Sequence, residues 1–502
     1  MAGKRVVIIG SGLGGLSCGA VLSKNGFDVT VVEQNAQIGG CLQCFSRRGA
    51  RFETGMHFIG SAAPGQTMDA MMHYLDLDGN VRLAPLDTDA YNVITLGDKE
   101  FRMANGREEF IEGFAAHFPK ERESLRRYWD TVSIVAGASG IVAGAESVSN
   151  SAIQARYQQL SIDKVIGSLT GNAELARALV GDMPLYAAER GRTPFATHAF
   201  IADFYNQSAF RIAGGSDAIA KSLARSITKN GGTVRTSCPA TRIVCDDTRA
   251  TAVEVGGSEA IKCDYVISDA HPLRTLELLK TRLIRPAFRQ RIAAQRQTIG
   301  CFAVYLHFKA GAVKYMNRNH FHYFTDKNPA APWECEKYTE ENWPLNYLYM
   351  HFCDEEPRAY AKTGVILAYM RADDVSRWAG TSVGRRGEDY EDFKRKKAER
   401  LLRLASARHP ELAGGVEHYY TSTPLTYMDY TGTAEGSMYG VAKDVAAGAA
   451  CRVSHRTKVP NMFLTGQNIN NHGMLGVLVG TMVTCRELVN PDILYRQIWE
   501  AR

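Results

Sequence analysis

Val6-Val7-Ile8-Ile9-Gly10-Ser11-Gly12-Leu13-Gly14-Gly15 sets an apolar, β-branched run against a glycine-rich turn. The run reads as a buried strand. Leu16 to Lys24 continues with helical spacing, Asn25-Gly26 supplies a stop, and Asp28 to Val32 forms a second strand ending at Glu33. The Gly-x-Gly-x-x-Gly spacing suits a tight turn, backbone approach to a pyrophosphate and close packing of helix on strand. The helix start offers free N–H groups and partial positive charge to phosphates. Glu33 stands where a carboxylate accepts hydrogen bonds from an adenosine ribose, with Gln34 beside it. A Gly39-Gly40 pair follows. Strand, turn, helix, strand and terminal acid together predict a dinucleotide site; the bland alternative is a ligand-free βαβ unit.

The chain has 502 residues, too many for one core, and predicts two or three domains. Its net charge of +6 argues against nucleic-acid binding and allows weak attraction to anionic membrane surfaces. Eleven cysteines, an odd and scattered set, fit a reducing cytoplasm better than a disulfide framework. The early first strand leaves no space for a signal peptide. The longest apolar run, residues 132–145, is too short to span a bilayer and reads as core, tunnel wall or interfacial segment. The expectation is a cytoplasmic protein with peripheral membrane association allowed.

Phe52-Glu53-Thr54-Gly55-Met56-His57-Phe58-Ile59-Gly60 follows the opening unit. Together these segments resemble the FAD-binding half of the flavin amine oxidase and phytoene desaturase superfamily. The Gly-x-His-x-x-Gly wording is most similar to its retinol saturase and carotenoid isomerase branch. The resemblance implies an α/β fold: a Rossmann-like FAD-binding domain with an inserted α+β substrate domain. FAD-binding parts are expected at 1–63, 206–285 and 431–502, a helical substrate-domain insertion at 64–205 and a substrate-domain sheet at 286–430. Val165 to Arg177 reads as an amphipathic helix and Tyr390 to Arg408 as a charged one, with Lys394 to Lys397 a solvated face.

The same resemblance implies cofactor contacts at Gly10, Ser11, Gly12, Leu13, Gly14, Gly15, Glu33, Gln34, Gly39, Gly40, Cys41, Met56 and His57. It adds Ala240 as a backbone contact to adenine, then Gly466, Gln467, Gly473, Leu475 and Val477 near the ribityl chain and ring. Two positions depart from the family's habit: Ala240 stands for valine, and Gln467 for an acid. Amides of the helix opening at Gly473 would favour a negatively charged reduced flavin.

No second Gly-x-Gly-x-x-Gly follows a strand, so the electron donor or acceptor is unidentified. Cys41-x-x-Cys44 allows a redox dithiol, but its spacing differs from flavin disulfide reductases, and no partner pair supports zinc. His57 is the catalytic candidate, as hydrogen-bond or proton donor beside the ring or simply as the residue that orders its loop. His472 has similar standing, and Tyr427, Tyr430 and Tyr439 are candidate chamber residues. The implied activity is hydride transfer with a hydrophobic polyene, as saturase, desaturase or isomerase. A flavin amine oxidase and a non-catalytic prenyl-lipid carrier remain alternatives.

Overall fold

The computed structural model describes residues 3–138, 151–353 and 358–501. Five parallel strands form the first sheet, in the order Thr233–Arg235, Asp28–Val32, Arg5–Ile9, Tyr265–Ser268, Met462–Leu464. Val6, Val7 and Ile8 are all buried, so both faces of the central strand are covered. This is why it reads as a continuous apolar run rather than an alternating one. The helix Leu13–Lys24 packs against the helices Asp217–Lys229 and Gly473–Cys485. At Gly19 a Cβ would lie 2.7 Å from Ile227 Cδ1, so the first of these contacts depends on a missing side chain.

A second layer is the antiparallel sheet Ala240–Cys245, Ala250–Val255, Glu259–Lys262. Asn461 ties it to the parallel sheet. Its Oδ1 accepts from Ala250 N–H at 2.9 Å, and its Nδ2 donates to the carbonyls of Ala250 and Asp264 at 2.9 and 2.7 Å.

The third layer is a seven-stranded sheet, ordered Val416–Ser422, Gly300–Phe308, Thr363–Met370, Asn346–Phe352, Asn319–Tyr323, Asn92–Leu96, Lys99–Met103. The pairing of Asn92–Leu96 with Asn319–Tyr323 is parallel and the rest antiparallel. The segment expected to be helical, 64–205, thus carries the strands Arg82–Pro85, Asn92–Leu96 and Lys99–Met103, and two of them complete this sheet. The expected single helix Val165 to Arg177 is two, Ile162–Leu169 and Ala173–Leu179. Asn172 caps the second by accepting from the amides of Glu174 and Leu175. Lys397 is not on a solvated face: it is buried, paired with Glu340 at 2.7 Å, and lies 4.5 Å from the Trp343 ring centre. Residues 139–145 of the apolar run lie outside the described residues. Among the described residues no helix is long and apolar enough to cross a membrane.

Replacing Asn461 with Ala removes a partner of the buried Ala250 amide and carbonyl, while the Asp264 carbonyl keeps Arg249 Nη2 at 3.0 Å. Asn461→Ala should lower stability by about 2–4 kcal/mol, read as a lower urea midpoint; an unchanged midpoint would contradict this account of how the two sheets are joined.

Candidate functional site

The first strand lies between Asp28–Val32 and Tyr265–Ser268, and the chain leaves it in one direction and returns on the other side. Such a switch point opens a crevice beyond the carboxyl ends of the strands. Here it widens into a cavity of about 600 Å³. Gly10, Ser11, Gly12, Leu13, Gly14, Glu33, Gln34, Gly39, Gly40, Cys41, Met56, His57, Ala240, Gly466, Gln467, Gly473 and Val477 all line it. Gly15 and Leu475 do not. Gly15 faces the turn, where a Cβ would fall 2.1 Å from the Gly10 carbonyl oxygen, and Leu475 is buried in the hydrophobic core.

Glycine is required at this crevice for steric reasons. Gly10 has φ +96°, in the left-handed region. A Cβ on Gly14 would stand 2.8 Å from the Gly466 backbone, and one on Gly12 would meet the Asp269 carboxylate. The N-terminal and C-terminal segments therefore touch backbone to backbone. The Leu13–Lys24 helix has no side-chain cap at Gly12 and no acid in its first turn. Glu33 is buried: it accepts from Ser11 N–H and Oγ–H at 2.9 and 2.7 Å and from Asn35 N–H at 2.8 Å. The acid thus orders the glycine loop as well as edging the cavity.

The sequence reading missed Asp269, which lines the cavity directly opposite the glycines. Its one signal is position, immediately after the strand that neighbours the switch point. Burial pushes its carboxyl up to about 7, helped by Glu33 and opposed by the amides of Gly15 and Gly12.

At the other end the cavity passes between the two large sheets. His57 lines it, with Nδ1 3.4 Å from Glu53 Oε2 and its carbonyl accepting from Arg211 Nη1 at 3.2 Å. Glu53 sits behind it, buried. Its carboxyl is raised by burial and drawn back by His57 and Arg211. Tyr427, Tyr430 and Tyr439 line the cavity too. The hydroxyls of two are committed to backbone carbonyls, Tyr427 to Thr54 at 3.0 Å and Tyr439 to Pro184 at 3.1 Å. Burial raises both phenols well above their ordinary range, so they stay neutral. His472 is outside the cavity lining: its ring lies tilted against Tyr439, 4.6 Å between ring centres, and burial lowers it to about 3. Cys41 lines the cavity while Cys44 is buried beside Ser216 Oγ at 3.6 Å, and both are free thiols.

These residues fit FAD. The glycine loop and uncapped helix form a cradle that a Cβ would fill, Glu33 closes one end, and the Gly473–Cys485 helix starts at the other. Asp269 is compatible with phosphates when it keeps its proton.

Residues 13–479 match the family model for flavin containing amine oxidoreductases. All-trans-retinol 13,14-reductase of Rattus norvegicus is 28% identical over 533 residues, covering 98% of this chain and 86% of that protein. The 4,4'-diapolycopene oxygenase of a Methylomonas species is 21% identical, covering 98% and 99%. Among solved structures, an oxidoreductase from Methanosarcina mazei superposes with TM-score 0.64 at 14% identity, covering 95% of this chain and 99% of that one. The retinol reductase and the diapolycopene oxygenase support the retinol saturase and carotenoid desaturase branch that the sequence resembles, and the solved structure shows the fold. The chain belongs to the flavin containing amine oxidoreductase family and is an FAD-dependent oxidoreductase.

Proposed function

We propose that the protein reduces a carbon–carbon double bond of a hydrophobic polyene of retinoid or carotenoid type. The observation that carries this is the cavity's far end, lined by Tyr205, Leu348, Leu367, Tyr369, Met438 and Tyr439, with His57 as the histidine at its edge. Two relatives that match nearly the whole chain are named for retinol and for diapolycopene. FAD, when bound, supplies hydride chemistry at its ring nitrogen N5. The chain's own part is to hold the reacting carbon in place and exclude water, which the apolar walls and the neutral, committed tyrosines do. A conjugated chain spreads developing charge over itself, so one proton donor suffices. His57 is placed for that, and Glu53 and Arg211 fix its side chain and its carbonyl.

Saturation, desaturation and redox-neutral isomerisation share the cavity and differ in where the electrons finish. The full-length match to a reductase supports saturation. Drawing such a substrate from lipid fits a peripheral contact with an anionic membrane surface. The net charge of +6 and the exposed Ile134 in the apolar run support that contact.

The deciding experiment mixes chemically reduced holoenzyme with retinol or a carotene under anaerobic conditions. Reoxidation of the flavin with a product two mass units heavier, about 2 Da, is expected. Oxidation of the polyene, an unchanged mass with altered geometry, or reduction of the oxidised enzyme by an amine alone would overturn the saturase reading. His57→Gln should retain FAD yet slow this reoxidation by about 100-fold, whereas a purely ordering role would leave the rate near wild type.

Asp269 carries its proton below about pH 7 and becomes an anion beside the phosphate cradle above it. FAD affinity is therefore expected to be full at low pH and to fall as pH rises through that range. Asp269→Asn should bind FAD with no such dependence; equilibrium dialysis across the range reads both.

A further inference from the structure

On the opposite face of the seven-stranded sheet from the flavin cavity, three histidines converge. His320 and His322 lie two apart on the strand Asn319–Tyr323, so they share one face. They pair directly with Tyr349 and Tyr347, whereas Leu348 of the same neighbouring strand lines the cavity. His409 reaches them from the turn that ends the helix Glu388–Arg408, its amide donating to the Ala405 carbonyl at 2.8 Å. One ring nitrogen from each of the three lies within 4.8 Å of the other two, and His322 Nε2 and His409 Nε2 are 2.9 Å apart.

We propose that His320, His322 and His409 bind a divalent transition-metal ion of the zinc type. Tetrahedral zinc with nitrogens at about 2.0 Å needs nitrogens about 3.3 Å from one another, a spacing that the observed separations bracket. Three imidazoles with no thiolate suit zinc, copper or nickel and disfavour magnesium or calcium. A second observation points the same way. His320 Nδ1 is buried with no hydrogen-bond partner among the described residues. Buried polar atoms left so are costly in a native interior. Two further features support a cation. Glu411 Oε1 lies 3.7 Å from His409 Nδ1, beyond hydrogen-bond distance but near enough for its negative charge to favour a cation. The cluster also stands at the negative end of a 21-residue helix. Burial lowers all three imidazoles, joined at His320 and His322 by the neighbouring His409 and at His409 by Arg408. The cations nearby are already matched: Arg408 with Asp98 at 2.9 Å, Arg318 with Asp87 and Arg102 with Asp89 at 3.6 Å.

With three protein ligands the fourth position is left to water, and the effect of the site is on the fold. It pins the end of the long helix to the back of the sheet whose front lines the flavin cavity, and it does not depend on which substrate that cavity takes. The test uses FAD-loaded protein freed of any histidine tag, stripped with a chelator and titrated with zinc alone. One zinc per chain, with a higher melting temperature on binding, is expected. Cobalt(II) in its place should give tetrahedral ligand-field bands at wavelengths longer than the flavin's. His322→Ala should lose the zinc, and the half-buried His320→Ala serves where that variant fails to fold, with flavin absorbance reporting integrity. Glu411→Gln should weaken binding by about 10-fold. No stoichiometric zinc in the parent, or equal binding in a folded His320→Ala or His322→Ala, would overturn the assignment.

Discussion

Contact between distant backbones at the crevice governs this structure. A side chain at Gly14 would strike the Gly466 backbone, one at Gly466 would strike Asp269, and Asp269 also fills the space before Gly12. Three widely separated segments are thereby fixed around one groove, each arriving at the end of a parallel strand. The groove needs no specialised loop, because the sheet's strand order creates it and the missing Cβ atoms keep it open.

Much of the first sheet was legible because a strand buried on both faces announces itself as an unbroken apolar run, as Val6 to Ile9 does. Helices with a polar face, such as Glu388–Arg408, were equally plain. The seven-stranded sheet was harder to read. Asn319–Tyr323 alternates His320 and His322 with Phe321, and histidines pairing with tyrosines across the strand disguise a buried face as a polar one. Asn92–Leu96 is buried at every position, yet it is only five residues long and lies inside a region dominated by helices.

The candidate site divides in the same way. Residues whose role follows from backbone geometry, Gly10, Gly12, Gly14 and Glu33, could be placed from spacing alone. Asp269 could not, since nothing local distinguishes it from any aspartate after a strand; only the strand order brings it opposite the glycines. His57 was a candidate from its motif and lines the cavity, but Glu53 behind it and Arg211 from a strand more than 150 residues later give it its setting. Tertiary structure thus supplied the charges, and sequence supplied the turns.

The order of strands has a consequence for synthesis. The parallel sheet takes one edge, Met462–Leu464, from a segment far along the chain from Arg5–Ile9, and Gly466 follows almost at once. A growing polypeptide therefore carries its opening glycine turn through most of translation without the backbone that later seals it. The cofactor groove can be completed only after Met462–Leu464 and Gly466 have been made, which makes late assembly, and a period of exposed apolar strand edges, inherent in this topology.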